Sequence, residues 1–169
     1  MFTSTIRRLA AISALSLAVP LGLPVLSAHA VEGPCEITGN VIVGTSGDDV
    51  LEGTEGSDVI TGLGGDDVIR GLGGNDLIDA GTGSDKVHGG EGDDCIAGGK
   101  QADTLFGDQG SDTLHGNRGD DHLYGGKASD TLDGGTGDDY VDGQAGTNHC
   151  KTSDTVAKVK YIVGNLVIC

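Results

Sequence analysis

Aspartates recur every nine residues through most of this chain, which has 169 residues and a formal net charge of −16. When residues 44–151 are divided into twelve units of nine, the sixth position is Asp in eleven of them. Carboxylate oxygens are the ligands that hard divalent cations such as calcium prefer. The spacing therefore predicts a repeated set of metal ligands, which are Asp49, Asp58, Asp67, Asp76, Asp85, Asp94, Asp103, Asp112, Asp121, Asp130 and Asp139.

The other positions of the unit indicate how these aspartates are held. Position one is Gly in all units except that of Ala80, and position four is Gly except at Gln101 and Ala128. Two glycines three residues apart allow tight turns with positive φ. Position eight is apolar in every unit, which suits a short strand whose middle side chain points inward. Turn and strand, repeated, predict an all-β fold: a parallel β-roll, or right-handed β-solenoid, of about twelve nine-residue repeats with two units per coil.

Charge and stacking both favour bound calcium. In such a roll, aspartates of neighbouring turns lie about 4.8 Å apart and repel one another. A divalent cation between the turns removes the repulsion and also takes carbonyl oxygens exposed by the glycine turns. The excess of 26 acidic over 10 basic residues lacks the footprint of a nucleic-acid or anionic-membrane binder.

The units resemble the GGxGxDxUx nonapeptide of RTX (haemolysin-type) calcium-binding repeats. This resemblance covers residues 44–151 and implies a β-roll with calcium between successive turns, held by Asp carboxylates and glycine-turn carbonyls. It makes the eleven aspartates the side-chain ligands, and pairing of each unit with the second unit after it allows at most about ten ions. Ala80, Gln101, Ala128 and Asn148 depart from the family pattern. Acids at position five, such as Asp66, are expected to be turn carboxylates.

The first thirty residues have the pattern of a secretory signal peptide. Two arginines precede an apolar run over residues 9–26, and the segment closes on Ala28-His29-Ala30, a small-x-small cleavage site. The alternative is a membrane anchor, but two prolines and a glycine leave the run short for a span of about 20 residues. We expect cleavage after Ala30, secretion, no remaining membrane span, and an environment in which disulfides can form.

Both ends of the repeat region are expected to be capped. Residues 31–43 form the predicted N-terminal cap, with Asn40 and Ile42 in the frame of a starter unit. Residues 152–169 form the predicted C-terminal cap, a hairpin that turns at Gly164-Asn165. Cysteine connectivity cannot be deduced from sequence alone. The pairing favoured by position joins Cys150 to Cys169 and Cys35 to Cys95, and the cysteine spacings match no zinc motif.

Positions seven and nine are predicted to face solvent. Apolar residues there in the early units are read either as a docking patch or as ordinary β-propensity: Val50, Val59, Val68 and Leu77. Aromatic residues of units seven, nine and eleven are expected to cluster on one outer face, as a stacking surface or as cross-strand neighbours: Phe106, His122, Tyr124 and Tyr140.

These observations favour a secreted calcium-binding repeat protein whose folding is coupled to calcium. It would be a structural or interaction module at or outside the cell surface, with calcium and a cell-surface polysaccharide or protein as partners. The alternative is an extracellular polysaccharide-binding or polysaccharide-modifying protein. We expect no enzymatic activity, because no segment outside the repeats exceeds about eighteen residues after signal removal and no nucleophile and base are found together.

Overall fold

Consecutive strands alternate between two parallel sheets in the computed structural model, which describes residues 39–151 and 158–159. Sheet A contains β1 (Asn40–Val43), β3 (Asp58–Thr61), β5 (Leu77–Thr82), β7 (Cys95–Lys100), β9 (Thr113–Arg118), β11 (Thr131–Thr136) and β13 (His149–Lys151). Sheet B contains β2 (Val50–Glu52), β4 (Val68–Gly73), β6 (Lys86–Glu91), β8 (Thr104–Gln109), β10 (His122–Lys127), β12 (Tyr140–Gln144) and β14 (Lys158–Val159). The predicted parallel β-roll with two units per coil is confirmed.

The register between strands is constant. Each residue pairs with the residue two units further along the chain, as Leu105 does with Leu123 and Phe106 with Tyr124. Equivalent positions of every second unit therefore lie directly above one another, so a nine-residue sequence pattern becomes a set of straight rows. Within residues 39–151, no helix is present that could cross a membrane.

The core is the row of position-eight side chains from both sheets. From Ile60 to Val141 these side chains are 0–1% exposed, and Ile42, Leu51 and Cys150 pack against them at the two ends. Alternation along each strand turns the middle residue inward, as predicted. Ala80, at position one, also lies in this core.

Strands are added by the same parallel pairing at both ends of the described roll. Asn40 pairs with Asp58 and Ile42 with Ile60, so β1 lies in the frame of a starter unit. At the other end β14 pairs with β12 in parallel, with Lys158 opposite Tyr140. The predicted hairpin beyond residue 159, the signal segment, Cys35 and Cys169 lie outside the described residues.

The prediction that positions seven and nine face solvent is wrong for part of sheet A. Val59, Leu77 and Cys95 stack on neighbouring strands as a second small hydrophobic cluster, each only 5% exposed. Val50, on sheet B, is 73% exposed. Since consecutive units alternate between sheets, the early apolar side chains lie on two opposite faces and do not form one docking patch.

Candidate metal centres

The predicted ligands lie at the junction between each turn and the strand that follows it. Ten of the eleven aspartates are buried at 0–3% exposure, and Asp49, in the first unit, is half-buried. Burying a carboxylate is unfavourable unless it is hydrogen-bonded, protonated or paired with a cation. The partners of the two carboxylate oxygens therefore decide what this row can do.

One oxygen of each aspartate is used by the protein itself. The Oδ1 atom of Asp103 accepts a hydrogen bond from the backbone N–H of Asp85 at 2.9 Å, and Asp121 Oδ1 accepts from Asp103 at 2.8 Å. The same bond links each position-six residue from Asp67 to Asn148 with the turn eighteen residues before it. This ladder fixes the orientation of every carboxylate, and the sequence pattern did not reveal it.

The other oxygen has no hydrogen-bond partner in nine of the eleven residues. These Oδ2 atoms belong to Asp67, Asp76, Asp85, Asp94, Asp103, Asp112, Asp121, Asp130 and Asp139. A buried acceptor without a donor costs about 1–3 kcal/mol, and more when it is charged. These nine atoms lie in register, and each can bind a proton or a cation.

Glycine at position one, which every unit except that of Ala80 has, lets the backbone lie close to these oxygens. At Gly107 a methyl group would collide with Asp112 Oδ2 and would lie 2.5 Å from the carbonyl oxygen of Gly125 in the next turn. The β8–β10 pairing skips Gly107 and Gly125, since Phe106 pairs with Tyr124 and Asp108 with Gly126. Carboxylate and carbonyl oxygens of successive turns thus lie close to the same glycine, at a position that the sheet pairing skips.

Asn148 shows which kind of group satisfies the position that Oδ2 has in the aspartates. Its Oδ1 takes the same backbone bond as the aspartates, from Asp130 at 2.8 Å. Its Nδ2 stands where the aspartates have Oδ2, and donates to the Gly143 carbonyl at 2.5 Å. In this unit the side-chain N–H of Asn148 pairs with the carbonyl oxygen, and no cation is needed there.

Three departures from the repeat pattern leave the turns intact. Gln101 and Ala128, at position four, have φ of 72° and 74°, the left-handed conformation that glycine has elsewhere. This conformation costs non-glycine residues about 1–2 kcal/mol. Ala80 places its methyl in the core, and the Oδ2 of Asp85 in the same unit remains unpartnered.

The first two units are different. Thr45 donates to Asp49 Oδ2 from its backbone N–H at 2.6 Å and from its hydroxyl at 2.9 Å. Thr54 makes the same pair of bonds to Asp58 Oδ2, at 2.6 and 3.0 Å. Asp58 therefore has protein donors on both oxygens, because Asn40 Nδ2 donates to its Oδ1 at 3.0 Å. Asp49 has two protein donors on its Oδ2.

Burial shifts the acidity of the row. Desolvation, with the charges of neighbouring aspartates, raises the pKa of Asp94 and Asp103 to about 8 and that of Asp112 to about 7. The same cause raises the pKa to about 6 in Asp76, Asp85, Asp121 and Asp130. For Asp58, burial acts in the same direction, but hydrogen bonds from Thr54 and Asn40 outweigh it and the pKa is lowered.

Other potential ligands do not join these sites. Position-five oxygens accept backbone bonds from the next turn, as Asp66 does from Ser84 at 2.8 Å, which agrees with their interpretation as turn carboxylates. Among the residues that the structure describes, no three His, Cys, Asp or Glu side chains converge on one point. A cation here must therefore take backbone carbonyls together with the carboxylates.

The residues present fit calcium. The buried aspartates offer carboxylate oxygens without a donor. Carbonyl oxygens of the next turn lie nearby in units such as that of Gly107. Calcium accepts such all-oxygen, irregular coordination from carboxylates and carbonyls. A bound calcium would supply the positive charge that the protein itself does not provide at these nine oxygens.

Comparison with known proteins agrees with this chemistry. The family model of the RTX calcium-binding nonapeptide repeat matches residues 43–78, 70–105, 97–132, 106–141 and 115–150. These repeats bind calcium, and together the matches cover residues 43–150, well over half of the chain. No curated protein matches the chain.

Replacing one ligand oxygen with nitrogen tests the row directly. We expect Asp103→Asn to keep the Oδ1 bond and to place an amide near the Gly98 carbonyl, as Asn148 does at Gly143. The variant should lose at least one calcium ion per chain, and its calcium-free state should gain about 1–3 kcal/mol because a buried acceptor is no longer unpartnered. Metal analysis measures the first effect, and the β structure that circular dichroism detects in chelator, compared with that of the wild type, measures the second.

The matched control is Asp93→Asn, which removes the same charge from an exposed position-five residue. Asn75 already occupies the corresponding place eighteen residues earlier and accepts the same kind of backbone bond. Calcium content should stay at the wild-type value. Equal calcium loss in both variants would show that overall charge, and not the buried oxygen, sets the stoichiometry.

The raised pKa values predict an unusual pH dependence without calcium. Aspartates titrate near 3.8 when unperturbed, whereas Asp94 and Asp103 titrate at about 8 in the folded chain. Between these values the folded state binds more protons than the unfolded state, so the free energy of unfolding falls as pH rises. In chelator, circular dichroism should show more β structure near pH 5 than near pH 9, with light scattering to detect precipitation. Unchanged or rising β content across this range would contradict the prediction.

Proposed function

Because this chain belongs to the family of RTX calcium-binding nonapeptide repeats, we propose that it is a secreted module that folds when calcium binds between its turns. The observation that carries this proposal is the row of nine buried carboxylate oxygens without a donor. Each is bordered by oxygen atoms, so neither the protein nor bulk water completes its bonding. Calcium is the ion that repeats of this family bind.

The magnitudes favour coupling of folding to binding. Nine buried acceptors without donors cost about 9–27 kcal/mol together, even at the value for uncharged groups. The net stability of a folded domain is only about 5–15 kcal/mol. In the unfolded chain the same carboxylates are hydrated and separated. Without calcium the free energy of folding is therefore expected to be unfavourable near neutral pH, and the binding energy of the ions becomes folding energy.

We propose a structural or interaction role rather than catalysis. The buried position-six aspartates form the turn ladder, and the buried apolar side chains form the core and the outer row of sheet A. Such a roll offers two broad sheet faces and two rims of turns as contact surfaces. An assay of the calcium-loaded protein against uronate polymers tests this, and release of shortened or modified product would overturn it.

Secretion and disulfide formation complete the proposed setting. The signal-like residues 1–30 support export, and extracellular calcium-binding modules bind in the range of about 10⁻⁴–10⁻³ M. Neither Cys95 nor Cys150 is a free thiol. We therefore propose the bridges Cys35–Cys95 and Cys150–Cys169. The intact mass of the exported protein should match a chain that begins at Val31 and has lost the hydrogens of four thiols. A mass that includes residues 1–30 would argue against this setting.

Calcium titration of the mature protein tests the proposed function. In chelator at neutral pH we expect a spectrum of a largely disordered chain, and on addition of millimolar calcium a cooperative gain of β structure, because the ions remove the burial cost of the carboxylates. Circular dichroism together with elemental analysis measures both folding and stoichiometry. Magnesium at the same concentration is the control, since it demands near-octahedral geometry and keeps its water. Identical spectra in chelator and calcium would refute the proposal.

A partner-binding face on sheet B is the second candidate function. The rings of His88, Phe106 and Tyr124 stack with centroids 4.5 and 4.9 Å apart and nearly parallel planes. Lys86 lies 5.7 Å from the Phe106 ring centroid, and Arg70 is exposed on the strand next to His88. The predicted aromatic cluster is thus present and includes His88. Since the rings cover one another's faces, they offer edges and neighbouring cations rather than a flat platform.

We propose that this face contacts an anionic cell-surface polysaccharide, held by Arg70 and Lys86. Charge reversal of both residues, Arg70→Glu with Lys86→Glu, should lower binding to a uronate polymer by at least tenfold in calcium. The matched control is Lys100→Glu with Arg118→Glu, since these exposed residues are neighbours on sheet A. Binding to immobilised polymer is measured. Equal loss in both pairs, or no binding by the wild type, would remove this candidate.

A further inference from the structure

The twelve units form two kinds of turn. In ten of them, from Leu63 to Gln144, the residue at position two has positive φ. Thr45 and Thr54, at position two of the first two units, do not adopt this conformation. The strands differ accordingly: β2 and β3 have three and four residues, whereas the seven strands from β4 to β10 each have six. The change of turn type coincides with the change in how the aspartates are bonded.

In the first kind of turn, threonine takes the place of an ion. The N–H and hydroxyl of Thr54 both donate to Asp58 Oδ2, at 2.6 and 3.0 Å. The hydroxyl also accepts the backbone N–H of Gly56 at 3.2 Å, and of the two acceptors within reach of its proton Asp58 Oδ2, at 3.0 Å, is nearer than the Gly56 carbonyl, at 3.2 Å. Thr45 repeats the arrangement with Asp49 and Gly47. Two donors on one oxygen satisfy an acceptor that in later units has none.

We infer that the first two turns bind no calcium: Thr45 and Thr54 cap Asp49 and Asp58, and the calcium row runs only from Asp67 to Asp139. This inference rests on the proposed function and corrects the assignment of all eleven aspartates as ligands. At the other end the Asn148 amide closes the row in the same manner, with Nδ2 on the Gly143 carbonyl. The array is therefore bounded on both sides by donors that belong to the protein.

The position of these turns has a physical reason. An ion between stacked turns draws ligands from both. Among the described residues, the turn of Thr45 has a stacked turn on one side only. A carboxylate there is better satisfied by donors of its own turn. Because their stability does not depend on the ion, the starter strand β1 and the first two turns form an edge on which the next calcium-dependent turn can pair. Stacked repeats are held by nearest-neighbour interfaces, so such an edge favours growth of the roll from the N-terminus.

Calcium stoichiometry of two isosteric variants tests this inference in the full mature chain. Asp58→Asn should bind as many calcium ions as the wild type, whereas Asp103→Asn should lose at least one ion. Loss of an ion in Asp58→Asn as well would overturn the inference and leave the proposed function standing. Absence of calcium binding in the wild type is a different result, and it would refute the proposed function itself.

Hydrogen exchange in chelator gives a readout that does not use calcium. Amides of residues 40–61 should exchange more slowly than those of residues 67–139, and calcium should then protect the later turns. Thr54→Val keeps the side-chain shape and removes the hydroxyl donor. It should speed exchange in residues 53–61 by roughly tenfold and leave calcium content unchanged. Equal exchange of both regions in chelator, or a change of calcium content in Thr54→Val, would overturn the inference.

Discussion

A buried carboxylate oxygen that faces other oxygens is the constraint on which this molecule depends. The backbone bond to Oδ1 holds each position-six side chain inward, and the missing Cβ of position one leaves Oδ2 beside a carbonyl of the next turn. Without an added positive partner this arrangement is repulsive. The same feature explains the raised pKa values, the fit of the site to calcium and the amide at Asn148.

The other interactions in the fold are too weak to offset the cost of these buried oxygens. The core is one row of aliphatic side chains between two sheets, so each turn buries little apolar surface. Turns with positive φ, including those at Gln101 and Ala128, add conformational cost. A roll of this kind resembles other one-dimensional repeats, in which stability is the sum of interfaces between neighbours. Calcium strengthens those interfaces, and the two outer sheet faces remain available for other contacts.

Sequence periodicity predicted the two sheets, the inward row from Ile60 to Val141 and the stacking of the aspartates in rows, because each depends only on spacing and on the alternation of a strand. It did not predict that ten of these aspartates are buried. It did not separate Asp49 and Asp58 from the other nine. The signal was visible at position two, where both units have threonine, but the same residue type also fits an ordinary turn. Only the distances from Thr54 to Asp58 Oδ2 show that this threonine donates to the carboxylate.

The amino-acid sequence by itself determined which residues form rows, since a strict nine-residue period with two units per coil places every second copy in line. The tertiary structure decided which atoms the side chains of each row contact. Stacking brings the N–H of Asp85 to Asp103 and the Gly125 carbonyl to Asp112, and it covers Val59 and Leu77 on a face expected to be exposed. These contacts join residues thirteen or more positions apart, and their bonding depends on distances of a few tenths of an ångström, which no local pattern encodes.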